Sequence, residues 1–433
     1  MIEPVIVVVI MLGLIALGAP IFLALGASGL TGLYMSRGSM AFFFGPTSLF
    51  GQLNSFELLA LPLFVLMGSF LAATPVGANL FKAAVIWLQW LRGGLAIATV
   101  GASAVFGAVS GVSIAGVAAV GSIAVPQMLD RGYSRSLAAG SVVSSGALAM
   151  LIPPSVPLII YGAVSSVSVA DLFIGGIVPG IALALALCVY IYFRALLNPE
   201  EAPRGDYVHY SWNERLRALG GIWHALVLIV LVLGAIYSGI ATPSEAAAFG
   251  AVGAFLLAVG VFRCLDIKGV GRVLSSSARV SGSILIIMGC ARIFGDYLNL
   301  VRVPDTIAGL LIGTDLPPEV ILMLIMLALV ALGMLVDAVS LIVVTTPILL
   351  PLITTLGYDP LWFGIILVMN LEIAVITPPV GLNLYTLKAV APMLKIEEIV
   401  KSVVPFVIIQ FLMLALFVLV PSLSLWLPNL VKQ

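Results

Sequence analysis

Apolar runs far longer than a soluble helix requires, separated by short polar breaks, make up most of this chain. The stretches 5–35, 93–129, 221–262 and 402–428 each exceed the roughly 20 residues that carry a helix across a bilayer. They predict membrane helices. One polar stretch is long: RALLNPEEAPRGDYVHYSWNERLR, residues 194–217, close to the midpoint. It reads as a solvated linker over 194–220, with a short interfacial helix that sets Tyr207, Tyr210 and Trp212 at headgroup level. Two apolar segments do not read as simple spans. GASAVFGAVSGVSIAGVAAVGSIAVPQM, residues 101–128, holds SGVS near its middle. Its two arms of about 12 residues are each too short to cross, so a re-entrant hairpin over about 93–129 fits better. ALAMLIPPSVPLIIYG, residues 147–162, places Pro153, Pro154 and Pro157 in a helical pattern. An interior proline removes a backbone bond and costs about 3 kcal/mol, which predicts an interrupted helix over about 135–165.

The same pattern returns in the second half. Shifted by 225 positions, Pro126 falls on Pro351, Gly132-Tyr133 on Gly357-Tyr358, and Pro153-Pro154 on Pro378-Pro379, without a gap. Leu and Ile match easily by chance, whereas Pro, Gly and Tyr landmarks at one shift point to duplication. The second copy predicts a hairpin over about 333–356 and an interrupted helix over about 361–386. Charge suggests how the copies are oriented. Segments 221–239 and 244–262 form a helical pair whose connection near 240–243 has no Lys or Arg, so their outer flanks share one side. Arg194, Arg204, Arg215 and Arg217 on one flank, and Arg263, Lys268, Arg272 and Arg279 on the other, place that side in the cytoplasm. The first-half counterpart, residues 37–56, carries Arg37 alone. A position basic in one copy and nearly neutral in the other predicts inverted repeats over 1–193 and 221–433, with the N-terminus outside.

Composition fixes the class. Of 433 residues 62% are hydrophobic and 9% charged, with a mean hydropathy of +1.24, against about 25% charged in soluble domains. The chain is an all-α integral membrane protein by this measure. Its N-terminal run lacks the basic start of a signal peptide. With 19 basic and 19 acidic residues it has no nucleic-acid footprint. Cys188, Cys264 and Cys290 are too scattered for a disulfide framework, and His209 and His224 are too few for a histidine metal centre. No His-Glu, Cys-His or paired-aspartate motif suggests an enzyme.

Candidate chemistry lies at the breaks. Pro153-Pro154 cannot donate to carbonyls near Ala149 and Met150, nor Pro378-Pro379 to those near Ala374 and Val375. Irregular backbone at membrane depth is tolerated where it is buried in protein or lines a wet cavity, and freed carbonyls there are hard ligands for a small cation. A neighbouring hydroxyl could instead re-satisfy them. In SGVS, Gly111 permits a turn while Ser110 and Ser113 supply oxygens or simply allow close helix packing. The most interior charges are Arg292, Asp296, Asp337 and Glu372. Arg292 could hold a carboxylate, pair with Asp296 one turn on, or snorkel. Glu245, in TPSEAAA, reads as a helix-start acid.

Six segments together resemble the large membrane subunit of tripartite ATP-independent periplasmic (TRAP) transporters, the DctM-like permeases. They are LALPLFVLMG (59–68), SGVSIAGVAAVGSIAVPQMLDRGY (110–133), LIPPSVPLIIYG (151–162), LFIGGIVPG (172–180), GIATPSEAAAFGA (239–251) and ITPPVGLNLY (376–385). The family's first tip usually reads Ser-Gly-Ser-Ser; here Val112 replaces the third residue. The resemblance implies an elevator-type permease of a bacterial or archaeal inner membrane, importing an organic acid with sodium. A periplasmic binding protein would deliver the cargo, and a small four-helix membrane subunit would pack alongside as a separate chain. Carried over, one sodium site would use Ser110, Ser113, Leu148, Leu151 and Pro153, and the other Gly333, Ala374, Thr377 and Val380. Substrate candidates are Arg292, Asp337, Ser155 and Asn370. Other readings are an ion-coupled organic-anion transporter without a binding protein, or a channel. The sequence does not name the acid.

Overall fold

The computed structural model describes residues 2–203, 210–312 and 316–431. Tyr207, Arg204 and His209 of the linker lie outside them. The described residues are mostly helical, with no strand among them. The first half runs α1 (Ile2–Ala16), α2 (Ile21–Arg37), α3 (Ala41–Leu53), α4 (Ala60–Ala72), α5 (Val76–Leu88), α6 (Gly94–Ser110), α7 (Ser113–Asp130), α8 (Arg135–Ala147), α9 (Val156–Ser165) and α10 (Val169–Leu197). The second runs α11 (Trp212–Gly220), α12 (Trp223–Tyr237), α13 (Pro243–Leu256), α14 (Ile267–Leu300), α15 (Val303–Ile312), α16 (Pro318–Gly333), α17 (Ala338–Thr355), α18 (Pro360–Ile376), α19 (Leu382–Val390), α20 (Ile396–Leu419) and α21 (Ser422–Val431). Among the described residues, six helices are long and apolar enough to cross a membrane, or up to eight if two bent pairs each count as one span. The pairs Ile21–Leu53 with Phe56–Ala72 and α11 with α12 bend by 57° and 59°.

The order of helix lengths is similar in the two halves. α6 and α7, of 17 and 18 residues, meet at Gly111-Val112; α16 and α17, of 16 and 18, meet across Met334–Asp337. Each pair is followed by a helix, a break and a shorter helix: α8 and α9 flank Leu151–Ser155, and α18 and α19 flank Thr377–Gly381. The second pair begins earlier than the sequence suggests. The range 333–356 holds the tip and second arm, while Pro318–Gly333 is the first arm. Pro317-Pro318 starts that arm, with Pro318 at the first helical position where its missing N–H costs nothing. The stretch GTDLPPE, residues 313–319, carries the signal of that start, with polar residues before the proline pair and Glu319 in the first turn.

The broken helices form the centre. Every residue of α8 from Leu137 to Ala147 is buried, as is every residue of α18 from Leu361 to Ile376. Around them pack α6, α7, α9, α10, α16, α17, α19 and α20. A second group, α1, α2, α4, α12, α13 and α14, packs on itself. There a Cβ at Gly29 would come within 2.8 Å of the Phe294 backbone, so α2 and α14 touch main chain to main chain. The groups meet where α14 packs on α17 and at the first tip, where a Cβ at Gly68 of α4 would lie 2.6 Å from the Ser110 carbonyl oxygen. Glu245 caps α13 through a reciprocal pair with Thr242. In the linker Ser211 and Glu214 cap α11 in the same way, and Trp87 Nε1 donates to the Arg215 carbonyl at 3.1 Å.

Candidate functional site

Both tips and both breaks open onto one crevice of about 420 Å³. Four helices start at its wall: α7 with Ser113 and Ile114, α9 with Val156 and Pro157, α17 with Ala338 and Val339, and α19 with Leu382 and Asn383. Val65 of α4 and Ser283 and Ile287 of α14 close the side. Helix starts leave backbone N–H groups unpaired within the helix and carry the positive end of its dipole. Ser155 caps α9 and the Asp337 carboxylate caps α17, whereas α7 and α19 have no side-chain cap and offer their first N–H groups to an anion. No lining residue is basic.

Gly111 makes the first tip possible. Its φ of +64° favours glycine, and a Cβ there would lie 2.6 Å from the Pro154 carbonyl oxygen. Each tip is tied to its own break by one backbone bond. Val156 N–H donates to the Gly111 carbonyl at 3.4 Å, and Val380 N–H to the Met334 carbonyl at 3.2 Å. A third tie crosses the copies. Asn383 Nδ2 donates to Ser113 Oγ at 2.7 Å, and Ser113 Oγ donates to Asn383 Oδ1 at 2.9 Å, with both residues buried. Asn383 was not among the sequence candidates. Its signal is a lone amide five residues past Pro378, where the first copy carries Leu158.

The candidates for cation binding separate by neighbourhood. Ser110 Oγ is buried and has no hydrogen-bond partner among the described residues, whereas Ser113 is engaged with Asn383. The Leu148 carbonyl already accepts from the Leu151 and Ile152 amides at 3.1 and 2.9 Å. The Leu151 carbonyl lies beside Gly176 of α10, 2.7 Å from where a Cβ would stand, and Pro153 is buried at the break. Hydroxyls take two nearby carbonyls: Ser155 Oγ donates to Met150, and Thr377 Oγ1 to Ile373 at 2.5 Å. The Thr377 amide donates to the Ala374 carbonyl at 3.2 Å. The second tip and break enclose a cavity of about 70 Å³ lined by Gly333, Asp337, Val375, Val380 and Gly381. Gly333 is required there, since a Cβ would lie 2.6 Å from that of Ala374. An orphaned buried hydroxyl at one tip, and a carboxylate with backbone oxygens around a small cavity at the other, fit a hard monovalent cation.

The substrate candidates do not converge. Asp337 lines the crevice and caps α17, accepting from Ser340 N–H at 3.0 Å and Ser340 Oγ at 2.6 Å. Ser155 caps α9 by accepting from Leu158 N–H. Asn370 faces α16, where its Nδ2 donates to the Met326 carbonyl at 3.0 Å. Arg292 lies outside the crevice. It forms the one-turn pair with Asp296, Nε to Oδ1 at 3.0 Å, and lines a separate cavity of about 200 Å³ between α14 and α17.

Comparison with known proteins agrees with this architecture. Residues 8–423 match the family described as "Tripartite ATP-independent periplasmic transporter, DctM component". The C4-dicarboxylate TRAP transporter large permease protein DctM of Vibrio cholerae is 34% identical, covering 98% of this chain and 96% of that protein. The isethionate TRAP transporter permease protein DctMQ of Oleidesulfovibrio alaskensis is 35% identical over 95% of this chain and 64% of its own length. The crystal structure of the Alcanivorax borkumensis YdaH transporter shares the fold, with a TM-score of 0.60 at 15% identity, covering 90% of this chain and 89% of that one.

Proposed function

The chain belongs to the DctM component family of tripartite ATP-independent periplasmic transporters, and from that premise we propose that it imports an organic acid across a bacterial or archaeal inner membrane, coupled to sodium. The observation that carries this reading is the crevice itself: four helix starts surround it, and no basic side chain lines it. A carboxylate placed there meets backbone N–H groups and the Asn383 amide rather than an arginine. Inverted repeats suit the arrangement, because broken helices from two copies bring both kinds of helix end to one midplane site.

Sodium would be held by Ser110 and the carbonyls of the first break, including Leu148, Leu151 and Pro153, and by Gly333, Ala374, Thr377 and Val380 at the second. Bound ions would supply positive charge beside the cargo and draw each tip onto its break. The chain's own part is positional: Gly111 and Gly333 let the tips approach, the two backbone ties hold them, and Ser113 with Asn383 joins the copies. Movement of the broken-helix group against the α2–α4–α13–α14 group would carry the site across as an elevator. A periplasmic binding protein would deliver the acid, and a small membrane subunit would accompany the chain.

The test is uptake by proteoliposomes containing this chain, its small subunit and its binding protein. An inward sodium gradient drives accumulation of the binding protein's ligand, and free ligand without the binding protein is taken up poorly. Equal uptake on a proton gradient with sodium absent overturns the coupling; full uptake by this chain alone overturns the tripartite assembly.

A further inference from the structure

Glu372 is fully buried in α18, and among the described residues neither carboxyl oxygen has a hydrogen-bond partner. A carboxylate inside a membrane protein is retained where it does something, and an unpaired buried charge is strongly disfavoured. Its direction is informative. Asn370 and Ala374 on the same helix face α16, through Met326 and Gly333. Gly364 and Ile365, two turns before Glu372, face Tyr161 of α9 and Gly175 of α10. Glu372 follows that second face; α18 packs on α8 and on the Leu148–Met150 turn that leads into the first copy's break, with the Leu151 backbone beside the carboxyl. A side chain of the second copy thus reaches the break of the first.

The duplication makes this an asymmetry. At the 225-residue shift, Glu372 corresponds to Ala147 and Asp337 to Val112. The first copy therefore has no carboxylate at either place, and the second has both. Asp337 lines the small cavity at its own tip and break, while Glu372 crosses to the other break. Each break then has one carboxylate beside it.

We propose that Glu372 is the countercharge of the first copy's cation site, so that each of two sodium ions is matched by one carboxylate and the second copy supplies both. The proposal rests on the sodium reading above. Glu372 is a positioning and charge-balancing residue here; the ligating oxygens remain those of Ser110 and the break.

Its test is the sodium dependence of thermal unfolding of the purified protein with its small subunit, with choline as the control cation. The parent is expected to melt higher as sodium rises and not with choline. E372Q, neutral and nearly isosteric, is expected to melt within a few degrees of the parent in sodium-free buffer, where neither side chain has an ion to match. It should need at least tenfold more sodium for half of its remaining stabilisation. A parent that does not respond to sodium overturns the sodium reading itself. A responding parent with E372Q within twofold of its sodium midpoint overturns only the role of Glu372. If E372Q does not fold, E372M, apolar and of similar length, takes its place under the same criteria. Failure of both to fold assigns Glu372 a packing role and overturns the proposal.

Discussion

Among the described residues, Ser113 and Asn383 form the one side-chain hydrogen-bonded pair that joins a tip of the first copy to a broken helix of the second, and both are buried. Removing one partner strands the other, at a cost of about 1–3 kcal/mol, while removing both together costs less. N383A is therefore expected to lower the melting temperature and weaken cargo binding, and S113A/N383L to recover part of the stability but not the binding. Melting curves with calorimetric titration of the cargo check this, and a fully additive double variant would disprove the coupling. At this scale the sequence was only partly legible. Ser110, Gly111 and Asp337 could be picked out because SGVS and an intramembrane acid stand out against apolar surroundings. Arg292 stood out for the same reason, yet its position on α14 sets it beside Asp296 in a separate cavity. Asn383 was missed because its partner lies 270 residues away, a separation no local pattern encodes.

Among the elements, the broken helices were the most legible, since tandem prolines forbid a continuous ladder at two matched places. The hydroxyl ties of Ser155 and Thr377 show that part of the freed backbone is re-satisfied locally, which leaves fewer carbonyls for an ion than proline counting suggests. Replacing Pro378 and Pro379 with alanine favours helix by about 3 kcal/mol per residue and would extend α18 through Thr377–Gly381. The expected result is a folded protein whose sodium affinity falls at least tenfold, which needs only about 1.4 kcal/mol of lost coordination. Sodium titration of uptake beside melts of the purified variant checks it; unchanged sodium dependence leaves these prolines with a packing role. The start of α16 was legible in GTDLPPE, residues 313–319, where polar residues and a proline pair precede Glu319 in the first turn; the range 333–356 rested on the acid at Asp337 instead.

For the whole molecule, the chain's division into two packed groups was not visible in composition, since both are equally apolar; only tertiary contacts separate α14 from α17. The two helices nevertheless pack on each other, and within that contact a Cβ on Gly295 would stand 3.4 Å from that of Pro347, near the roughly 3.5–4.5 Å spanned by a disulfide. G295C/P347C, in a background with Cys188, Cys264 and Cys290 replaced by alanine, should cross-link on oxidation. Elevator movement predicts that uptake then falls at least tenfold and returns on reduction. Uptake that continues with the bridge formed would mean that these groups do not slide.

The helix starts around the crevice carry a consequence for how such a protein diversifies. An arginine ligand can be exchanged by a single codon change, but a backbone amide is the same whichever residue carries it. Attraction for negative charge is thus held outside the reach of ordinary point mutation, while Val65, Met150 and Ile287, which shape the remaining wall, are free to drift. Such a permease would inherit its charge preference unchanged and acquire a new cargo by reshaping apolar walls, leaving discrimination among acids of like charge to whatever presents them at the membrane.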